Sequence, residues 1–422
     1  MKLPRGDEYL EAVQTPTLAF NDLELKSCIP ETDGFGLPKP YSGGFTTTFH
    51  LYNSSKHWAV RCFTISIPDL QQRYAAIGQF FKTHQCEFIV PTDCLLQGIR
   101  VKGQWFPVIK MQWVTGKPLN IFIDQHISTP NKIANIIPKF VNIVRQQEQL
   151  GIAHGDLQHG NILVKDGKLY LIDYDGFFLP ELSSLQANQL GHPNYQHPAR
   201  NSSHYNESID RFSAIVIYLG LKAISTQPSL WRKYNNSENI LFTSNDFINV
   251  DTSSLLSDLS NIPSLTPFVE QFRRICKDDY ENIPTLDQFL SRPSVSQTSR
   301  VFPKVSVPTQ ATRNQYPILD ASRKGSLLEY VGLRVEVVGQ ITAYHQSKTR
   351  YNRPYLFLNF GTYPHQTFTL VLWSEALRRF EQDGIDPLSY VGRWVKVSGV
   401  LGSYNGKPTM TIESQAQILT LS

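Results

Sequence analysis

The sequence predicts an α+β protein in two unequal parts, and three observations carry that reading. Residues 291–317, SRPSVSQTSRVFPKVSVPTQATRNQYP, are rich in Ser, Thr, Gln and Pro and carry no helix- or strand-spaced apolar pattern. Such a stretch buries too little surface to offset its ordering entropy, so it reads as a linker. Before it, apolar residues at helical spacing lead into a β-hairpin; after it, valines alternate at period two in two similar copies. The chain has 422 residues, 41% of them hydrophobic and 18% charged, enough for a core on each side of the linker.

Charge and cysteine content narrow the class. The 40 Lys+Arg and 36 Asp+Glu leave +4, which excludes a generally polybasic nucleic-acid binder. From Val301 onward, however, 13 basic residues face 8 acidic ones, so the excess positive charge belongs to the small part and its linker. Cys28, Cys62, Cys86, Cys94 and Cys276 are odd in number and form no CxxC pair, which argues against a disulfide framework or Cys-rich zinc site. The opening MKLPRGDEYLEAV has no secretory-type apolar stretch, and the apolar run Phe212–Ile224 is interrupted by Lys222. The expectation is a soluble, cytoplasmic protein.

In chain order, residues 1–38 read as an N-terminal extension, 39–290 as the large domain and 318–422 as the small one. Within the large domain the most informative stretch is Gly151–Leu179, GIAHGDLQHGNILVKDGKLYLIDYDGFFL. A helix precedes it, with Pro130 at its start, Ile133, Ile136, Ile137, Phe140, Val141 and Val144 on one face, and Gly151 as its stop. Pro138 should kink that helix. Asn161–Val164 and Leu169–Ile172, joined by Asp166-Gly167, predict a hairpin. Asp156, Asn161 and Asp173 are thereby delivered to one end of it. Oxygen donors of this kind suit Mg²⁺, and a nearby unliganded carboxylate suits accepting a hydroxyl proton.

His154-Gly155-Asp156-Leu157-Gln158-His159-Gly160-Asn161 resembles the H-x-D-x-x-x-x-N loop of the protein-kinase-like fold, and Ile172-Asp173-Tyr174-Asp175 resembles its Asp-Phe-Gly. The resemblance spans roughly Lys39 to Leu290 and implies a two-lobed fold with ATP and Mg²⁺ as cofactors. It implies Asp156 as catalytic base, with Asn161 and Asp173 as metal ligands. Pro40–Phe45 resembles a degraded Gly-rich loop in which Gly43 and Gly44 would approach the phosphates. Trp58-Ala59-Val60-Arg61 resembles Val-Ala-Ile-Lys, with Ala59 over the adenine and Arg61 in the place of Lys. Met111 would be the gatekeeper, followed by Trp113 at the hinge, and Leu163 would complete the base pocket. Gly191–Ala199 looks like the end of an activation segment, and Asp210-Arg211-Phe212-Ser213 like the start of the central helix.

Departures from the pattern come in pairs. Arg61 replaces Lys, and the helical stretch Asp69–Lys82 lacks the expected Glu; Asp175 stands where Gly is usual. Ala199 and Asn282 replace another Glu–Arg pair, so no charge need be left unpaired there. Three readings stay open: a divergent Ser/Thr kinase acting on protein, a pseudokinase scaffold without turnover, and a small-molecule phosphotransferase, which His154-Gly155-Asp156 suggests but the activation-segment-like stretch around Pro193–Pro198 disfavours.

The small part reads as five strands, about 333–344, 355–360, 367–372, 394–401 and 409–412, with a helix over 374–380. This pattern resembles OB-fold domains, small closed Greek-key barrels that bind oligonucleotides. In the loop after the first strand, Lys348, Arg350 and Arg353 interleave with Tyr344 and Tyr351, and Tyr404 and Lys407 lie in the last hairpin. Basic groups following phosphates and aromatic faces stacking on bases suit single-stranded nucleic acid. A protein partner is the alternative.

Overall fold

Alternation of apolar and polar residues along Thr46–Tyr52, His57–Phe63 and Gln104–Gln112 dictates strands with two distinct faces. The computed structural model describes residues 3–42, 46–64, 69–84, 86–236, 238–291, 317–331, 334–348, 354–361, 367–404, 407–412 and 415–421. The chain divides into two units, Met1–Phe289 and Leu290–Ser422, and the expected linker lies almost wholly outside the described residues. Helices and strands are both well represented, as an α+β class requires.

The first unit begins with α1 (Gly6–Val13), α2 (Pro16–Ala19), α3 (Leu23–Lys26) and β1 (Ile29–Pro30). Then follow β2 (Pro40–Ser42), β3 (Thr46–Tyr52), β4 (His57–Phe63), α4 (Leu70–Thr83), β5 (Thr92–Val101) and β6 (Gln104–Gln112). The strands form an antiparallel sheet in the order β1-β3-β4-β6-β5, with β2 also on β3. One face of the sheet presents Phe49, Leu51, Val60, Cys62 and Val108. Tyr9, Val13, Phe20 and Leu25 of the first segment pack on that face, all four fully buried. The segment set apart by sequence as an extension is therefore a layer of this core.

Lys110 binds the same segment to the sheet. Its ammonium, only 6% exposed, meets Asp22 at 3.0 Å and Glu24 at 2.6 Å and lies 4.3 Å from the centre of the Trp58 ring. The opposite face, carrying Thr48, His50, Ala59, Arg61 and Met111 in register, turns toward the site.

The helical part opens with β7 (Lys117–Pro118), α5 (Leu119–His126), α6 (Pro130–Ala134) and α7 (Ile137–Leu150). The expected kink is a break: Asn135 and Ile136 separate α6 from α7, and Pro138 sits in the first turn of α7. Without an N–H, and with its ring opposing the carbonyl four residues back, proline is better placed at a helix start than inside one. Gly151 ends α7 at φ +64°.

β8 (Ile162–Lys165) and β9 (Lys168–Leu171) form the hairpin, with Asp166 and Gly167 both at positive φ, as a two-residue turn demands. Next come α8 (Arg211–Thr226), α9 (Ser229–Tyr234), α10 (Ser244–Ile248), α11 (Ser254–Ser260), α12 (Thr266–Ile275) and α13 (Leu286–Leu290). Twelve of the 16 residues of α8 are buried, which makes it the central helix.

The second unit contains β10 (Ile318–Asp320), α14 (Lys324–Leu328), β11 (Arg334–Gln340), β12 (Ala343–Lys348), β13 (Pro354–Phe360) and β14 (Phe368–Leu372). It continues with α15 (Ser374–Gln382), β15 (Trp394–Val400), β16 (Gly402–Tyr404), β17 (Lys407–Thr411) and β18 (Ile418–Thr420). The two similar sequence copies are paired strands, with Val337 opposite Val397. The first expected strand is divided at Ile341 into β11 and β12, while the fourth is β15 and stops before Leu401, with β16 following it where a loop was expected; Ile341 and Leu401 are both fully buried.

The single closed sheet expected here is instead two sheets, β10-β11-β15-β18 and β12-β13-β14-β17-β16. Turning Ile341 and Leu401 into the core bends each chain path from one sheet into the other.

Candidate functional site

The loop after α7 is held from below. Asp210, buried at the start of α8, accepts the backbone N–H groups of His154 and, at 3.0 Å, Gly155. Burial pushes its carboxyl above the usual range, and these amides oppose that rise. His154 Nε2 lies 2.8 Å from the Ile172 carbonyl, and its ring meets Tyr174 edge-on at 6.0 Å. Gly155 has φ +81°, and a Cβ there would stand 2.0 Å from the Gly176 carbonyl oxygen. That close backbone approach and the positive φ together require glycine at this position.

The loop presents Asp156. Its Oδ2 accepts from Asn161 Nδ2 at 3.0 Å and Gln158 Nε2 at 3.1 Å, and its Oδ1 accepts from the His192 backbone N–H at 2.7 Å. Asn161 Nδ2 also donates to the Asp156 carbonyl at 2.9 Å. With its amide nitrogen committed to Asp156, Asn161 has a side-chain oxygen that makes no hydrogen bond among the described residues. The activation-segment-like stretch thus returns to touch Asp156, through Gly191 at φ +78° and His192. Sequence reasoning did not find that contact.

The cation of the site is engaged differently from expectation. Arg61, 8% exposed, was expected at nucleotide phosphates. Here Nη2 donates to Asp173 Oδ1 at 2.9 Å and Asp175 Oδ2 at 2.8 Å, while Nη1 donates to Tyr74 at 3.1 Å and Asp175 Oδ1 at 3.3 Å. The Tyr74 hydroxyl, on α4, donates to Asp175 at 2.5 Å. Burial works against the guanidinium charge, but Asp173 and Asp175 outweigh it and hold the group protonated. Next to Tyr74, Arg73 donates to Tyr205 at 2.7 Å and to the Gln186 carbonyl at 2.5 Å. The sequence signals touching this network were separate: Arg61 and the absence of Glu from the stretch Asp69–Lys82, and Asp175 beside Tyr174.

Around the expected base pocket, Ala59 and Met111 are register partners, both buried. Leu163 on β8 lies beneath Gly116, whose added Cβ would be 3.1 Å from the Leu163 Cβ. Trp113 stacks on His50 at 4.1 Å and approaches Tyr41 at 5.4 Å. Gly43 and Gly44 lie outside the described residues. Among the described residues no group of three or more His, Cys, Asp or Glu is arranged as a metal site. A metal held jointly with nucleotide phosphates needs only one or two protein oxygens. The Asn161 side-chain oxygen and Asp173 Oδ2, neither with a hydrogen bond among the described residues, are the oxygen donors that could hold such a metal.

The second altered pair resolves unexpectedly. Asn282 donates to Asp278 at 2.9 Å, while Arg200, beside Ala199 and buried, reaches the Tyr280 hydroxyl at 3.0 Å and the Ile209 carbonyl at 3.4 Å. A guanidinium is therefore buried there after all, bound by neutral oxygens.

In the second unit Tyr344 is 54% exposed on β12, and Lys348 ends that strand. Arg350, Tyr351 and Arg353 lie outside the described residues. Tyr404 and Lys407 are register partners across the β16–β17 hairpin. An aromatic row lies on the outer face of the five-stranded sheet. Tyr355 lies 4.9 Å from Phe357, 5.8 Å from Trp373 and 6.2 Å from His345. Leu356 and Leu358, alternating with them, fill the core. Compared with known proteins, the chain matches no family model and no curated relative.

Proposed function

We propose that the first unit is a divergent protein-kinase-like, ATP-dependent phosphotransferase acting on a Ser or Thr hydroxyl of a protein. One observation supports this reading: Asn161 is tied by its amide nitrogen to the carbonyl and carboxylate of Asp156, which leaves its side-chain oxygen without a hydrogen bond among the described residues, beside the Asp156 carboxylate. Asp156 would accept the hydroxyl proton of the acceptor. Asn161 and Asp173 would hold Mg²⁺, which when bound neutralises charge on the triphosphate. Ala59, Met111 and Leu163 supply apolar surface for a base, with Trp113 at the edge.

Mg-ATP consumption and self-phosphorylation should be measured for the wild type and for Asp156→Ala. Loss of both signals in the variant is expected, by about a hundredfold or more if Asp156 is the base. Equal signals would end the enzyme reading. A second reading, a nucleotide-binding scaffold without turnover, is favoured by the Arg61–Asp173 ion pair, which occupies one oxygen of the metal ligand.

For the second unit an OB-like module is the reading. Taking β11–β12 and β15–β16 as one bent strand each, the pairing order runs first-second-third-fifth-fourth-first, and the third and fifth strands are parallel. Its aromatic row and exposed Tyr344 support contact with single-stranded nucleic acid. Fluorescence titration with single-stranded DNA and RNA at two salt concentrations tests this. Binding should weaken with salt and with Phe357→Ala, whereas salt-independent or absent binding points to a protein partner. A tethered module of either kind would raise the local concentration of kinase substrates. No described helix is long and apolar enough to cross a membrane, and the free cysteines suit a reducing cytoplasmic setting.

A further inference from the structure

We propose that Asp175 is a positioning residue of the site: it takes Arg61 as its own counter-ion and so leaves Asp173 with negative charge for a divalent cation. The inference rests on the phosphotransfer reading and deepens it. Arg61 brings one positive charge to two carboxylates. Both of its terminal nitrogens reach Asp175, at 2.8 and 3.3 Å, whereas only one reaches Asp173, at a single oxygen.

Exposure separates the two acids further. The Asp175 side chain is 6% exposed and depends on Arg61 for compensation, since little water reaches it; that of Asp173 is 36% exposed. Were Asp175 absent, Arg61 would pair one-to-one with Asp173 and cancel the charge a cation needs.

The same carboxylate sets α4. In the arrangement that the sequence pattern resembles, the acid opposite the cation sits on the helix itself. Here the acid lies two residues beyond Asp173, and the helix supplies a phenol: Tyr74 donates to Asp175 and accepts from Arg61. The count of charges is unchanged while the position of one has moved. Arg73 reinforces the attachment through Gln186 and Tyr205, so two successive helix residues grip the segment that follows Asp173.

The test is binding of Mn²⁺ with ADP, followed by electron paramagnetic resonance of the metal, which needs no turnover. Asp175→Asn keeps the volume and removes the charge; it should weaken Mn²⁺ binding by about tenfold or more, the scale of one charge-assisted contact. Arg61→Met combined with Asp175→Asn removes cation and anion together and should return to within about threefold of wild type, a rescue that a merely structural role would not produce. Tyr74→Phe, which removes a single hydroxyl, should fall between.

If Asp175→Asn binds Mn²⁺–ADP as the wild type does, or if the double variant binds no better than Asp175→Asn, this proposal is overturned and the phosphotransfer reading stands. A wild-type protein that binds no Mn²⁺–ADP overturns both.

Discussion

The sheet of the first unit carries a buried cation on each of its faces, and the two are solved differently. On the outer face Lys110 meets Asp22 and Glu24, and the other oxygen of Glu24 is taken by Lys56. Two cations face two acids, and both acids reach solvent, at 21% and 38% exposure. On the face turned toward the site Arg61 alone faces Asp173 and Asp175. The outer cluster is balanced and closes a core; the inner one keeps a net negative charge. Such an excess is costly in a protein interior, and on the proposed reading the cation bound with the nucleotide would offset it.

Substituting each cation by a methionine separates the two faces. Arg61→Met leaves the buried Asp175 uncompensated and should cost about 3–5 kcal/mol, read as a fall in the urea midpoint of the first unit. Lys110→Met leaves acids that water can reach; losing the pair and the contact with Trp58 should cost about 1–2 kcal/mol. Equal losses in the two variants would erase the distinction.

The smallest effect is on pH. Lys110 and Lys56 hold the Glu24 carboxyl down at about 2 from its ordinary 4.5. A depressed carboxyl contributes stability that is complete above the ordinary value and fades as pH falls toward the folded one. The wild type should therefore lose stability between pH 4.5 and about 2 more steeply than Glu24→Gln, by a modest margin because the group is largely solvated. Parallel curves would show that the outer cluster contributes little.

Much of the site was legible because it is local. Asp156 and Asn161 lie five residues apart, and the hairpin that carries the chain on to Asp173 is set by a two-residue turn whose residues prefer positive φ. The Gly151 stop and the alternating valines of the second unit follow from equally short-range rules. What escaped was long-range. Nothing near Arg61 announces Asp175, 114 positions away, or Tyr74 as the link between them. Asp210 was visible as a helix start but not as the acceptor for His154 and Gly155. The N-terminal segment looked detachable because its apolar residues, Tyr9, Val13, Phe20 and Leu25, have no partners within their own stretch.

By itself, then, the sequence determined the α+β class, the division into two units near residue 290, the hairpin and the order of oxygen-bearing groups along it. Each follows from backbone preferences and hydrophobic spacing over a few residues. Only the tertiary structure decided which acid answers Arg61, what covers the outer face of the sheet and where the strands of the second unit bend. Those outcomes are settled when distant side chains compete for one buried partner, and a buried charge accepts whichever arrangement leaves the least of it uncompensated.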